Sequence, residues 1–202
     1  GTRTFQGAGL TRIDLTALTG LTCLGTSATS CTATSSVYLF DACADLEEVI
    51  LPASVKKIGA YVFRDCISLE NVVMDGVELI GKQAFMNTGL KNLALPGTMK
   101  QFGDDAFRNC ANLQTIAINS NVTSYGKYVF AECPLLAEVT IGGGATKLGD
   151  YMFYGCAALK TATLPGTVTY LGKYTFQGSG LTEIACLPAR RRAHGAAFAV
   201  FR

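Results

Sequence analysis

The apolar positions of this chain return at a long, fixed interval. Phenylalanine sets the register: Phe40, Phe63, Phe85, Phe107, Phe130, Phe153 and Phe176 stand 23, 22, 22, 23, 23 and 23 residues apart. Aligned on them, each unit reads F-x-x-C-x-x-L-x-x-V-x-L-P-x-x-V-x-x-I-G-x-x-A. The copy from Phe40 runs through Cys43, Leu46, Val49, Leu51, Pro52, Val55, Ile58 and Gly59; the copy from Phe153 repeats it through Cys156, Leu159, Leu164, Pro165, Val168, Leu171 and Gly172. Self-similarity of this period marks a stack of small structural units, none of which can bury its apolar face alone.

The L-x-x-V-x-L segment alternates apolar and polar positions at its end, which predicts a short strand with one buried face. Proline or glycine follows and turns the chain. Stacked about 4.8 Å apart, such strands form a parallel sheet along one side of a coil. Where the cysteine is missing the unit shortens to F-x-x-x-G-L, as at Phe5, Phe85 and Phe176, and the glycine there can take a positive φ to tighten the corner. The copy from Phe63 loses its residue elsewhere, in Met74-Asp-Gly-Val77.

The period breaks twice. Phe5 and Phe40 are 35 residues apart, and the excess lies mainly in Thr26–Ser36, a small, uncharged, low-complexity stretch. It is expected to be an irregular loop on the outside of the coil, the alternative being a flap over the first coil or a partner contact. After Leu181-Thr-Glu-Ile184-Ala-Cys186-Leu-Pro188 the signature ends. The expected division is therefore a repeat domain over 1–188, with an insertion at about 26–36, and a divergent tail or cap over 189–202. Gly1–Leu10 matches Gly172–Leu181, so the chain opens in mid-repeat, as a mature product or a piece of a longer protein would. No signal peptide is present in it.

Composition narrows the function classes. The 202 residues are 49% hydrophobic and 16% charged, with a net charge of +2. That charge gives no field for nucleic acid. The mean hydropathy of +0.29 is high, yet no segment approaches the roughly 20 apolar residues of a spanning helix. No membrane insertion is expected, and the apolar residues must be buried within the stack.

Chemistry-bearing residues are sparse. Five of eight cysteines (Cys43, Cys66, Cys110, Cys133 and Cys156) occupy one repeat position, where Thr88, Ser179 and Ala8 also stand. No C-x-x-C pair exists for zinc, and side chains stacked in parallel suit a disulfide poorly. Buried packing thiols are the expectation. Cys23 and Cys31 are the pair best placed for a disulfide, although free thiols are the favoured reading. The single histidine, His194, lies in the tail beside Arg190–Arg192, so no nucleophile–base pair can be built, and no catalytic residue, metal or cofactor is expected. Asp104–Asp105 and Glu47–Glu48 read as solvated surface. Gly142-Gly-Gly144 opens no helix and so no phosphate loop, and Asn121-Val-Thr123 is a formal glycosylation sequon. Ser54, Thr98, Asn121 and Thr167 follow the turn and are expected to bond backbone groups of the coil. Tyr61, Tyr128, Tyr151 and Tyr174 recur before the A-F step and should form an outer aromatic ladder; a recognition stripe is the alternative.

The L-x-x-V-x-L core with its proline and A-F signatures resembles the BspA-like, or Treponema-type, leucine-rich repeats, from Gly1 to about Pro188. The resemblance implies a leucine-rich-repeat solenoid of the α/β repeat type, with short parallel strands on the concave face and irregular, 3-10 or short-helix connections on the convex face. It also implies a surface or secreted protein of bacteria or some protozoa, at the cell surface, outside the cell or in the periplasm, tied to adhesion or host matrix binding. Ligands should meet the outward sheet positions. One such column is Glu48, Asn71, Asn92, Thr115, Glu138 and Thr161; the other is Ile50, Val73, Ala94, Ala117, Thr140 and Thr163. With Glu47 and Glu70 they make a mixed surface, acidic and apolar at its N-terminal end, of the kind protein partners meet. The expected partner is a protein, with a host extracellular-matrix component the leading class. Self-association through the ends of the stack is the alternative.

Overall fold

A computed structural model describes residues 3–25, 37–91 and 93–187. The insertion at 26–36 with Cys31, the site residue Asn92, and the tail at 189–202 with His194 lie outside the described residues. Twelve short strands follow one another: β1 (Arg12–Asp14), β2 (Cys23–Leu24), β3 (Glu48–Ile50), β4 (Lys57–Ile58), β5 (Asn71–Val73), β6 (Leu79–Ile80), β7 (Gln101–Phe102), β8 (Thr115–Ile118), β9 (Ser124–Tyr125), β10 (Glu138–Ile141), β11 (Thr161–Pro165) and β12 (Glu183–Leu187). Every pairing is parallel. The first side of the coil carries β1-β3-β5 and then β8-β10-β11-β12; Leu93, buried, holds the equivalent place between the two groups.

The second side departs from expectation. Instead of irregular or helical connections, the V-x-x-I-G step forms its own parallel ladder, β2-β4-β6-β7-β9, extended by a bridge between Lys147 and Tyr170. Among the described residues no helix occurs. The glycine explains the ladder. Gly81 N–H donates to the Ile58 carbonyl and Gly103 N–H to the Ile80 carbonyl, both at 2.8 Å. A Cβ on Gly103 would lie 2.6 Å from the Lys82 nitrogen, so only a bare Cα lets successive coils approach that closely.

The third side is built on left-handed backbone. Two residues before the phenylalanines from Phe63 to Phe176 stand Tyr61, Gln83, Asp105, Tyr128, Tyr151 and Tyr174; two after those from Phe40 to Phe153 stand Ala42, Asp65, Asn87, Asn109, Glu132 and Gly155; all have φ between 52° and 70°. This alternation turns N–H groups along the stack. In the coil of Phe63, the N–H groups of Tyr61, Phe63 and Asp65 donate to the carbonyls of Lys82, Ala84 and Met86 in the next coil. The coil thus has three hydrogen-bonded sides, which meets the demand that buried backbone groups be paired.

Inside lies a single core. From Phe5 to Phe176 the repeat rings stack at centroid spacings of 5.3–5.8 Å, nearly parallel except for an 18° tilt at one step. Phe63 to Phe153 are fully buried, whereas Phe5, at the start of the stack, is 44% exposed. The cysteine column has a job beyond filling space. Each repeat thiol donates to the phenylalanine carbonyl of the preceding coil, among them Cys66 to Phe40 at 3.1 Å, Cys133 to Phe107 at 3.3 Å and Cys156 to Phe130 at 3.0 Å. Thr88 and Ser179 give the same bond through a hydroxyl, to the phenylalanine of their own coil. The five repeat thiols are free and buried. Cys23, in contrast, is disulfide-bonded, where free thiols were expected; the candidate partner Cys31 lies outside the described residues.

Candidate interaction surface

The first side presents two rows of outward residues. Pairing aligns Glu48 with Asn71 and Ile50 with Val73. Further along, Thr115, Glu138 and Thr161 fall in register, as do Ala117, Thr140 and Thr163. Ala94 is exposed in the coil between them. The alternation of each strand fixes this: Val49, Ile116, Val139 and Ala162 point into the core, so their neighbours on either side point out. Every described residue of the two rows is exposed or half-buried. Val73 is 40% exposed, a high value for valine beside a core.

Two residues that the sequence reading left out head these rows. Arg12 aligns with Glu48 and Asp14 with Ile50. Arg12 Nε lies 2.7 Å from Glu48 Oε2, and the guanidinium pKa is raised, chiefly by that hydrogen bond. Lys91 similarly meets Glu70 at 2.7 Å. The acidic end of the face is therefore partly balanced by cations, and exposed pairs of this kind contribute about 0–1 kcal/mol to stability. What remains there is an open depression of about 590 Å³, lined by Glu47, Glu48, Ile67, Ser68, Glu70 and Asn71. Ile67 is 63% exposed at its rim. The match of the repeat at Leu10-x-x-Ile13-x-Leu15 to later strands was the available signal for Arg12 and Asp14.

The residues after the turn serve structure. Ser54 donates to the Leu21 carbonyl at 2.8 Å, Thr98 to Val77 at 2.8 Å, Asn121 to Gly97 at 2.6 Å and Thr167 to Ala145 at 2.7 Å. Each ties one coil to the one before it. Of the acidic pairs, Asp104 accepts from the Lys127 N–H at 2.8 Å, and Asp105 meets Arg108. The tyrosines do form an outer ladder, joined by Tyr38: Tyr38 stacks on Tyr61 at 4.9 Å, and Tyr128 on Tyr151 at 4.4 Å. Bulky residues at positive φ cost on the order of 1–3 kcal/mol each, and each stacked pair offsets about 0.5–1.5 kcal/mol of that.

Registered strands, a stacked aromatic core and outward rows free of core duty define a leucine-rich-repeat solenoid, a class that presents surfaces. The chain belongs to the BspA type leucine rich repeat family: the family model matches residues 34–141 and 78–199, in six copies. Repeats of this family generally act as protein-interaction modules. Among solved structures, a leucine-rich repeat protein of T. pallidum is 30% identical with a TM-score of 0.65, over 69% of this chain and 66% of that one. One from Bacteroides ovatus is 26% identical with a TM-score of 0.55, over 70% of this chain and 43% of that one. A third, from Eubacterium ventriosum, shares the fold at 17% identity and a TM-score of 0.54, over 90% of this chain and 61% of that one. The chain thus spans just under two thirds of the first solved relative and less than half of the second. No curated protein matches it.

Proposed function

We propose that this chain is a non-enzymatic binding module that engages a protein partner through the two outward rows of the first sheet. The supporting observation is the alignment of those rows within each of the two strand groups: in register, largely uncommitted to the core, and mixed in polarity, as protein-binding patches are. The N-terminal end, with the acidic residues around the depression, is the anchor, since Val73 and Ile67 stay exposed and Ile50 half-buried on the same side. The role is adhesin-like, at a cell surface or outside the cell, with a host matrix protein as partner. The disulfide at Cys23 supports an oxidising compartment. No helix of the described residues is long and apolar enough to cross a membrane.

Carboxylate footprinting tests the reading. The chain is mixed with fibronectin, laminin or collagen and labelled with a carbodiimide and glycine ethyl ester. Binding should protect Glu47, Glu48, Glu70 and Glu138 while Asp75 and Asp104, away from the sheet face, keep their labelling. A bound partner that protects none of the four glutamates would remove the face from the account.

A further inference from the structure

The tyrosine side of the coil carries a cleft that the sheet face does not use. It measures about 390 Å³ and spans several coils, with Tyr128, Tyr151 and Tyr174 lining it together with Arg108, Glu132 and Tyr154. Toward the N-terminus the same side is filled. The residue after the phenylalanine is Arg64 in one coil, and its guanidinium lies over Tyr38 and Tyr61 at 5.3 and 5.4 Å. Arg108, at the same repeat position, covers Tyr128 at 5.2 Å. One coil later that position holds Ala131, which has no side chain to reach across. The next holds Tyr154, whose ring meets Tyr151 edge-on at 5.8 Å. The cleft is the gap left beside these two substitutions.

Its chemistry selects a ligand. Arg108 and Glu132 neutralise each other at 2.8 Å, so an anion entering would face a carboxylate and a cation would face a guanidinium. The polar groups are of mixed kind: Arg108 only donates, Glu132 only accepts, and the phenols and Gln177 do both. The ligand must therefore be uncharged and rich in groups that donate and accept. The tyrosine rings stack on one another, so they add chiefly apolar edges, with Tyr174 53% exposed at the end of the row. Pyranose rings meet both demands, laying C–H groups against the ring edges and offering hydroxyls to planar polar side chains. The wall also repeats: Tyr128, Tyr151 and Tyr174 recur once per coil, at spacings of 4.4 and 5.0 Å between ring centroids. That step is close to the length of one sugar ring in a linear chain. We propose that this cleft binds a neutral, linear polysaccharide, with successive sugar units lying along the three tyrosines.

The chain has no tryptophan and eight tyrosines, so tyrosine dominates its intrinsic emission. The test titrates the whole chain with cellohexaose, mannohexaose and maltohexaose, following that emission and the heat released. At least one hexasaccharide should bind saturably. Tyr154→Ala and Glu132→Gln should each weaken it at least tenfold, and neither breaks the stack of Tyr128, Tyr151 and Tyr174. Tyr61→Ala, in the filled part of the ladder, should change the affinity less than twofold. Unchanged far-ultraviolet dichroism and melting temperature would show that the variants fold. The proposal is overturned if no hexasaccharide binds at millimolar concentration, or if Tyr61→Ala weakens binding as much as Tyr154→Ala. Saturable binding of choline or inorganic phosphate in place of any saccharide would overturn it as well. Matrix-protein binding through the first side is a separate measurement, so either result can fail without the other.

Discussion

Phe107 lies between Phe85 and Phe130, its ring 5.3 Å from each, with no exposed surface. Nothing beside it can collapse into the space it fills, because its neighbours are held by their own coils. Phe107→Ala should therefore destabilise by roughly 3–5 kcal/mol. Denaturant unfolding is the check, and a loss below about 1 kcal/mol would mean the ring column is not the core. The phenylalanine register was fully legible in the sequence, since nothing but a repeat places one residue type at intervals of 22 and 23. The cysteines were legible as buried thiols but not in their role. Only coordinates show that a carbonyl of the preceding coil points at each sulfur. Burial pushes the Cys66 thiol up to about 12 and also raises Cys43, so at pH 8 these two hold little thiolate, and full burial shields all five repeat sulfurs from reagent. A thiol reagent should label exposed Cys186 at once and the five repeat cysteines only as the protein unfolds. Rapid native labelling of three or more of those five would contradict their placement.

At the scale of the element, the first strand of each coil was predictable and the other two sides were not. Alternation such as Thr115-Ile-Ala-Ile118 announces a half-buried strand by its period of two. The strands of the second side are two residues long, too short for any period, and what marks them is the glycine that follows. Gly103 lies so close to the preceding coil that a methyl group there would meet the backbone nitrogen of Lys82 at 2.6 Å. Gly103→Ala should cost on the order of 1–3 kcal/mol as overpacking, whereas Gly97→Ala, where a Cβ meets nothing within 4 Å, should stay within about 0.5 kcal/mol. Equal melting temperatures for the two variants would show that the second ladder does not depend on close approach. The third side was hidden for a different reason. Tyr, Gln, Glu and Ala carry no sequence signal for positive φ, yet here they adopt it in coil after coil. The intercoil hydrogen bonds impose that backbone, and the side chains tolerate it.

For the molecule as a whole, the repeat settles where residues go and leaves open what they meet. The outward columns could be written down from the sequence because a strand's two faces follow from its alternation. Their modification by Arg12 and Lys91 could not, since those ion pairs join different coils. The cleft beside Tyr154 was equally invisible, lying where Ala131 and Tyr154 occupy a position that carries arginine in two other coils. The proposed binding face is the pair of outward rows on the first side of the coil. It is tested most directly by the affinity of the chain for a matrix protein before and after Ile50→Lys combined with Val73→Lys. These positions carry little core energy, so the double variant should keep its melting temperature to within a few degrees. Its affinity should fall at least tenfold, about 1.4 kcal/mol. A folded double variant that binds its partner as tightly as the original chain would contradict the claim.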